Sequence, residues 1–181
     1  MTEPLPSAEF TVLRQTIALR GTVRMTLVPL VSLGWAVLTL LLLLYGGPPI
    51  ACIVSLGVLV GGFEAVHALH VGAERIGRYV QVYYEAPADG PRWETAVTTV
   101  GPALPGGGID PLFSVVFVGL TAINLLVALV PLPTRLELGA VAVLHLGFVF
   151  RVVRARLAAT KQRAVELESF KAMQSRERAA G

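Results

Sequence analysis

The chain has 181 residues, of which 54% are apolar and only 15% charged, and a formal net charge of +3. Soluble domains average roughly 25% charged residues, so this composition excludes an ordinary water-soluble domain. The small positive charge calls for no nucleic-acid partner. Fourteen of the fifteen Lys and Arg residues lie before the first long apolar run, between the second and third, or after the fourth, which is an orientation signal instead.

In chain order, Met1–Pro6 is a Pro-rich tail, and Ser7 is placed to cap a helix running to Arg24. Phe10, Leu13, Ile17 and Val23 recur at helical spacing among Arg14, Arg20 and Arg24. That pattern suits an amphipathic helix lying on the inner membrane surface or running into the first span, with Gly21 as the joint between the two. Spans are predicted over 25–45, 50–71, 111–130 and 136–153, each near the roughly 20 residues that a hydrocarbon core requires. The last has an apolar run of only Leu136–Phe150, so Arg151 must snorkel. Pro29 lies inside the first span, where neighbouring groups can satisfy the carbonyl it frees. Trp35 is placed mid-span, against a partner helix.

Gly46-Gly-Pro-Pro49 makes a tight hairpin, so spans one and two are antiparallel neighbours. Pro49-Ile50-Ala51-Cys52 resembles a bacterial lipoprotein cleavage site, with Pro where an aliphatic residue is usual. Cys52 otherwise reads as a small packed residue. Nothing breaks the second helix from Ile50 to Glu85, and Pro87–Pro91 ends it. Arg92–Val100 is a short helix anchored by Trp93. Gly101–Gly108 lacks the Lys-Ser/Thr of a phosphate loop and reads as a connector. Thr121 and Asn124 offer hydrogen bonds to another helix, and the tail beyond Arg151 carries a thin apolar stripe of Val153, Leu157, Ala164 and Leu167.

The fold expected is all-α: a polytopic integral membrane protein whose four-transmembrane-helix bundle carries helical cytoplasmic extensions. It divides into an N-terminal tail and amphipathic helix (1–24), a transmembrane domain (25–153, with a cytoplasmic loop at 72–110) and a C-terminal helix (154–181). The positive-inside rule places both termini and the central loop in the cytoplasm, with the chain in the inner (plasma) membrane.

The second span carries the chemistry. At about 100° per residue, Glu64, His67, His70, Glu74, Arg75, Arg78 and Gln81 share an arc of about 140°, edged by the small residues Gly57, Gly61 and Ala68. Such a face points into protein rather than lipid. At about 1.5 Å per residue from Ile50, Glu64 lies about 21 Å into a core of about 30 Å, which makes it the anomaly. Glu74 and Arg78 lie at headgroup level, where an i, i+4 pair on a solvated face is ordinary. Glu64-x-x-His67 has the metal-ligand spacing of four-helix di-iron proteins, although spans one and three add no carboxylate. Glu64, His67, His70 and His145 together supply ligand types for a single metal ion. Haem between His67 and His145 is a second cofactor option, at levels about 12 Å apart. A bond from Glu64 to His145, about 7 Å apart in level, needs no cofactor and is the expectation.

Glu74-Arg75-x-x-Arg78 with Glu85 resembles the loop motif of the four-span glutathione- and eicosanoid-metabolising membrane enzymes. The likeness covers twelve residues. In that family the motif enters the second span, whereas here it leaves it, and Val82 stands where an Asn is expected, so no activity carries over. With no nucleophile–base pair to assign, no catalytic residue is named. The function expected is a non-enzymatic structural or accessory subunit of a membrane assembly, its partners being the bilayer and another protein or a second copy. The alternative is a metal- or haem-binding or proton/ion-coupled transport protein using Glu64, His67, His70 and His145.

Overall fold

The structure is a computed structural model that describes residues 6–86, 92–100 and 111–180. Every element among them is helical. The tail at 1–5, the Pro87–Pro91 stop and the Gly101–Gly108 connector lie outside the described residues.

Helix α1 (Pro6–Tyr45) opens on Pro6 and runs 40 residues through Gly21 and Pro29. The joint expected at Gly21 is therefore absent, since one interior glycine costs a helix only about 1 kcal/mol. It stops where Gly46 turns to φ 64° and the Gly47 N–H donates to the Leu42 carbonyl at 3.0 Å, a glycine C-cap. A 3-10 turn (Pro49–Ala51), helix α2 (Cys52–Val80) and a π-helical turn (Gln81–Glu85) then run on without interruption. Helix α3 (Trp93–Val100) is the short helix expected there, with Trp93 exposed. Helix α4 spans Pro111–Leu129 and α5 spans Arg135–Ala180.

Helix α5 begins at a capping box that is legible as Thr134-x-x-Glu137. The Glu137 carboxylate accepts from the Thr134 N–H at 2.9 Å and hydroxyl at 2.7 Å, and the Glu137 N–H donates back to Thr134 Oγ1 at 3.3 Å. Three helices, α1, α2 with its flanking turns, and α5, are long and apolar enough to cross a membrane, and α4 adds a shorter apolar stretch, Ser114–Leu129.

The contacts divide the chain into two compact units. The apolar unit comprises Arg24–His67 and Pro111–Leu157. Leu56, Leu59, Phe63 and Val66, spaced three and four apart on α2, bury one stripe against Trp35, Phe117, Phe148 and Val152. The edges of Phe117 and Phe148 meet the Phe63 ring at 5.5 and 5.7 Å between centroids, a favoured aromatic arrangement. A smaller cluster joins Cys52, Ala128 and Val141. The α1–α2 contact closes over Gly62, where a Cβ would strike Val31. Gly57 and Gly61, of the small row expected to let another helix approach, are exposed, and a Cβ at either meets nothing within 4 Å.

The polar unit comprises Met1–Val23, Ala68–Asp110 and Ala158–Gly181. Of the thin α5 stripe expected from the sequence, Ala164 is exposed and Leu167 half-buried in this unit. Leu167 is half-buried along with Gln162, Arg163, Glu166, Phe170 and Gln174. Arg163 and Glu166 bond across to α2, Phe170 meets the Tyr79 ring, Gln174 donates to the Val82 carbonyl in the π-helical turn, and Gln162 donates to Glu166 on its own helix.

Gly62→Leu is expected to lower stability by about 1–3 kcal/mol, the cost of overpacking a filled contact. Thermal unfolding of the detergent-solubilised chain measures it.

Candidate functional site

In the apolar unit, four helices meet at one side chain. Asn124, fully buried on α4, offers two donors and two acceptor lone pairs, and both its oxygen and its nitrogen are bonded. Trp35 Nε1 on α1 donates to Asn124 Oδ1 at 3.1 Å. Because an indole nitrogen can only donate, this contact fixes which end of the amide is oxygen. Ser55 Oγ on α2 lies 2.7 Å from the same oxygen and 3.0 Å from the Cys52 carbonyl, with one proton to give to either. The amide nitrogen donates to the Cys52 carbonyl at 3.0 Å and faces His145 Nε2 on α5 at 2.9 Å.

His145 Nε2 must therefore accept. Its proton sits on Nδ1, 2.7 Å from the Val141 carbonyl, so Trp35 dictates the tautomer of a histidine on another helix. Sequence reasoning found Trp35, Asn124 and His145 separately. It missed Ser55 and the Cys52 carbonyl, which carry no signal beyond being small and polar. Thr121, expected to bridge helices, bonds its own helix at the Phe117 carbonyl, 2.6 Å away.

The expected Glu64–His145 bond is not formed. Glu64 accepts from Arg151 Nη2 at 2.8 Å, and the Arg151 guanidinium lies over the Phe63 ring at 5.6 Å. The reason is register. Counted from Leu136, Arg151 lies about 22 Å along α5, level with Glu64, and a charge-assisted bond is stronger than one to a neutral imidazole. Both side chains of the pair are nearly half exposed, at 44% for Glu64 and 43% for Arg151. His67 stacks on Phe63, with centroids 5.7 Å apart and planes within 7°.

The polar unit holds a second cluster. Glu74 takes Arg78 at 3.4 Å, His70 at 3.4 Å and Arg163 of α5. Glu166 of α5 accepts from Arg75 at 3.0 Å, from Gln162 at 2.7 Å and from Arg78. The Arg78 and Glu166 side chains are only 11% and 15% exposed, so the solvated i, i+4 ladder expected at Glu74–Arg78 is an interhelical network instead. The sequence around α2 could not reveal the difference, because the extra acceptor lies 88 residues away. Burial acts to raise the Glu166 carboxyl, but bonds from Gln162, Arg78 and Arg75 outweigh it and hold the group at about 2.

The buried Glu85 carboxylate accepts from the backbone N–H groups of Glu94 and Thr95 at 2.7 and 2.8 Å and from the Thr95 hydroxyl at 2.9 Å, an acidic cap on α3. Glu94 in turn pairs with Arg14 at 2.7 Å. Burial raises the Glu94 carboxyl, Arg14 lowers it and Glu85 raises it, for a net upward shift. Tyr79 and Tyr84 both donate to Glu9, at 3.3 and 2.5 Å, inside an aromatic set with Phe10, Tyr83 and Phe170.

Of the four metal candidates, Glu64, His67 and His145 lie in the apolar unit and His70 in the polar unit, and each has the partner described above. Among the described residues, no group of three or more His, Cys, Asp or Glu side chains is placed to hold a metal ion. The residues of the twelve-residue motif, Glu74, Arg75, Arg78 and Glu85, all bond within the polar unit. No protein-family model, no curated protein and no solved structure matches the chain.

Asn124→Leu removes the partner of Trp35 Nε1 and of His145 Nε2, and a loss of about 1–3 kcal/mol is expected. Adding His145→Leu should cost less than the sum of the two single changes, with a coupling of about 0.6 kcal/mol. A double-mutant cycle on detergent unfolding reads both quantities. Glu166→Gln should remove an acid-dependent contribution. With the folded carboxyl at about 2 and the unfolded one near about 4.3, that contribution is full above the unfolded value and fades as pH falls towards the folded one. Unfolding midpoints between pH 5 and pH 2 should therefore be flatter in the variant.

Proposed function

We propose that the chain is a non-enzymatic four-span protein of the inner (plasma) membrane, a structural or accessory subunit of a larger membrane assembly. In this reading the chain crosses at 25–45, 50–71, 111–130 and 136–153, with both termini and the 72–110 loop in the cytoplasm. The single observation that supports the role most directly is the use of the central polar groups. Asn124 bonds to groups on α1, α2 and α5, and the other ring nitrogen of His145 is held by the Val141 carbonyl of its own helix, which is architecture rather than reactivity.

The outward surface supports the same reading. The most apolar stretch of α1 is only 11% buried against 44% in α2, and Leu30, Leu33, Val37 and Leu40 are exposed. This is surface for lipid or for another helix. The distribution of Lys and Arg supports the orientation.

Reporter fusions after Glu85 and at the C-terminus should report cytoplasm, and a fusion within Pro131–Arg135 the opposite side. An external central loop would overturn the topology. Gentle solubilisation of the tagged protein should retain a stoichiometric protein partner. A chain recovered as a monomer with nothing bound would overturn the accessory-subunit role.

A further inference from the structure

The Glu64–Arg151 pair presents a difficulty that nothing else in the apolar unit resolves. It sits about 21 Å along its span, at hydrocarbon depth on the membrane reading, yet both side chains are nearly half exposed. Ionised groups at that depth face the interior of a bundle, a partner or water rather than acyl chains. The surface beside the pair is open. Taking Gly57 as origin at about 100° per residue, Glu64 lies near 340°, Gly61 near 40°, Val54 near 60° and Ala65 near 80°, so the carboxylate edges one outward face. Val54, Gly57, Gly61 and Ala65 are all exposed, and a Cβ at either glycine meets nothing within 4 Å. On α5, Gly147 lies one turn before Arg151 and is equally open.

We propose that this face of α2 and α5 docks a second copy of the chain, side by side in the same orientation, and that the contact covers the Glu64–Arg151 pair. The choice of occupant comes from charge. The surface presents a carboxylate and a guanidinium together, and a two-fold contact brings the same patch on both sides. The exposed half of each charge then meets its opposite from the other copy, whereas an unrelated partner must supply both. The glycines let the two α2 backbones approach closely, as small-residue faces do between membrane helices. The inference rests on the membrane reading above and narrows its partner to the chain itself.

Because a Cβ at Gly57 or Gly61 meets nothing within 4 Å and both positions are exposed, Gly57→Leu and Gly61→Leu separate association from folding. The full-length chain, fluorescently labelled and diluted into lipid vesicles, is counted by single-molecule photobleaching. Wild type should bleach in two steps. Each leucine variant should weaken self-association by about tenfold or more with its unfolding midpoint not lowered. Oxidative cross-linking of Gly57→Cys should link two copies, and that of the exposed Leu126→Cys on α4 should not.

A wild type that bleaches in one step, or leucine variants that pair as well as wild type, would overturn the proposal. If the chain is single but Gly57→Cys cross-links to a different protein, the second-copy inference falls and the accessory-subunit reading stands. If it is single and cross-links to nothing, both fall.

Discussion

An amide buried among apolar helices is tolerable only when its polar atoms are hydrogen-bonded, and Asn124 meets that constraint with groups from α1, α2 and α5. An unsatisfied buried polar group costs about 1–3 kcal/mol, whereas apolar burial is non-directional. The node therefore supplies what the apolar core does not. Sliding α1 or α5 by one residue would turn Trp35 or His145 away by about 100°. The fixed amide orientation also sets the protonation pattern at His145 through geometry alone. Phe63 and its neighbours fill the volume, and Asn124 specifies the arrangement.

The two units are held by opposite means. In the apolar unit the Asn124 node lies beside a core of Leu59, Phe63, Val66, Phe117 and Val152. In the polar unit, guanidinium–carboxylate bonds at Glu74 and Glu166, the Glu85 cap on α3 and the tyrosine contacts to Glu9 replace most of that packing. Such bonds are directional, and several converge on shared acceptors, so each carboxylate fixes two or three donors at once. Glycines serve both units through the space they leave. A Cβ at Gly62 would strike Val31, and one at Gly72 would strike the Arg20 guanidinium.

Ion pairing also explains why the second helix looked like a binding site. A line of Glu, His and Arg along one face of α2 is the pattern of a ligand set, and it is equally the pattern of a helix whose partners carry complementary charges far away in sequence. Arg151, Arg163 and Glu166 are those partners. Only Arg151 could have been found by counting, because its depth along α5 matches that of Glu64. The weaker His145 alternative drew attention because a histidine inside an apolar run is rarer than an arginine at its end.

Composition and periodicity by themselves determined that the chain is helical, where its apolar runs lie, where α3 begins and that Glu85 closes the long second helix. Each of these depends on local preference or on the burial of one helical face. They also marked Trp35, Asn124 and His145 as residues in need of partners. Tertiary structure alone decided which partners those are, that α1 packs over Gly62 of α2, and that α5 bonds to α2 through Arg163 and Glu166. The physical reason is the same in each case. Pairing across helices depends on their relative register and rotation, and these are fixed by contacts between residues many tens of positions apart, to which no local pattern in the chain is sensitive.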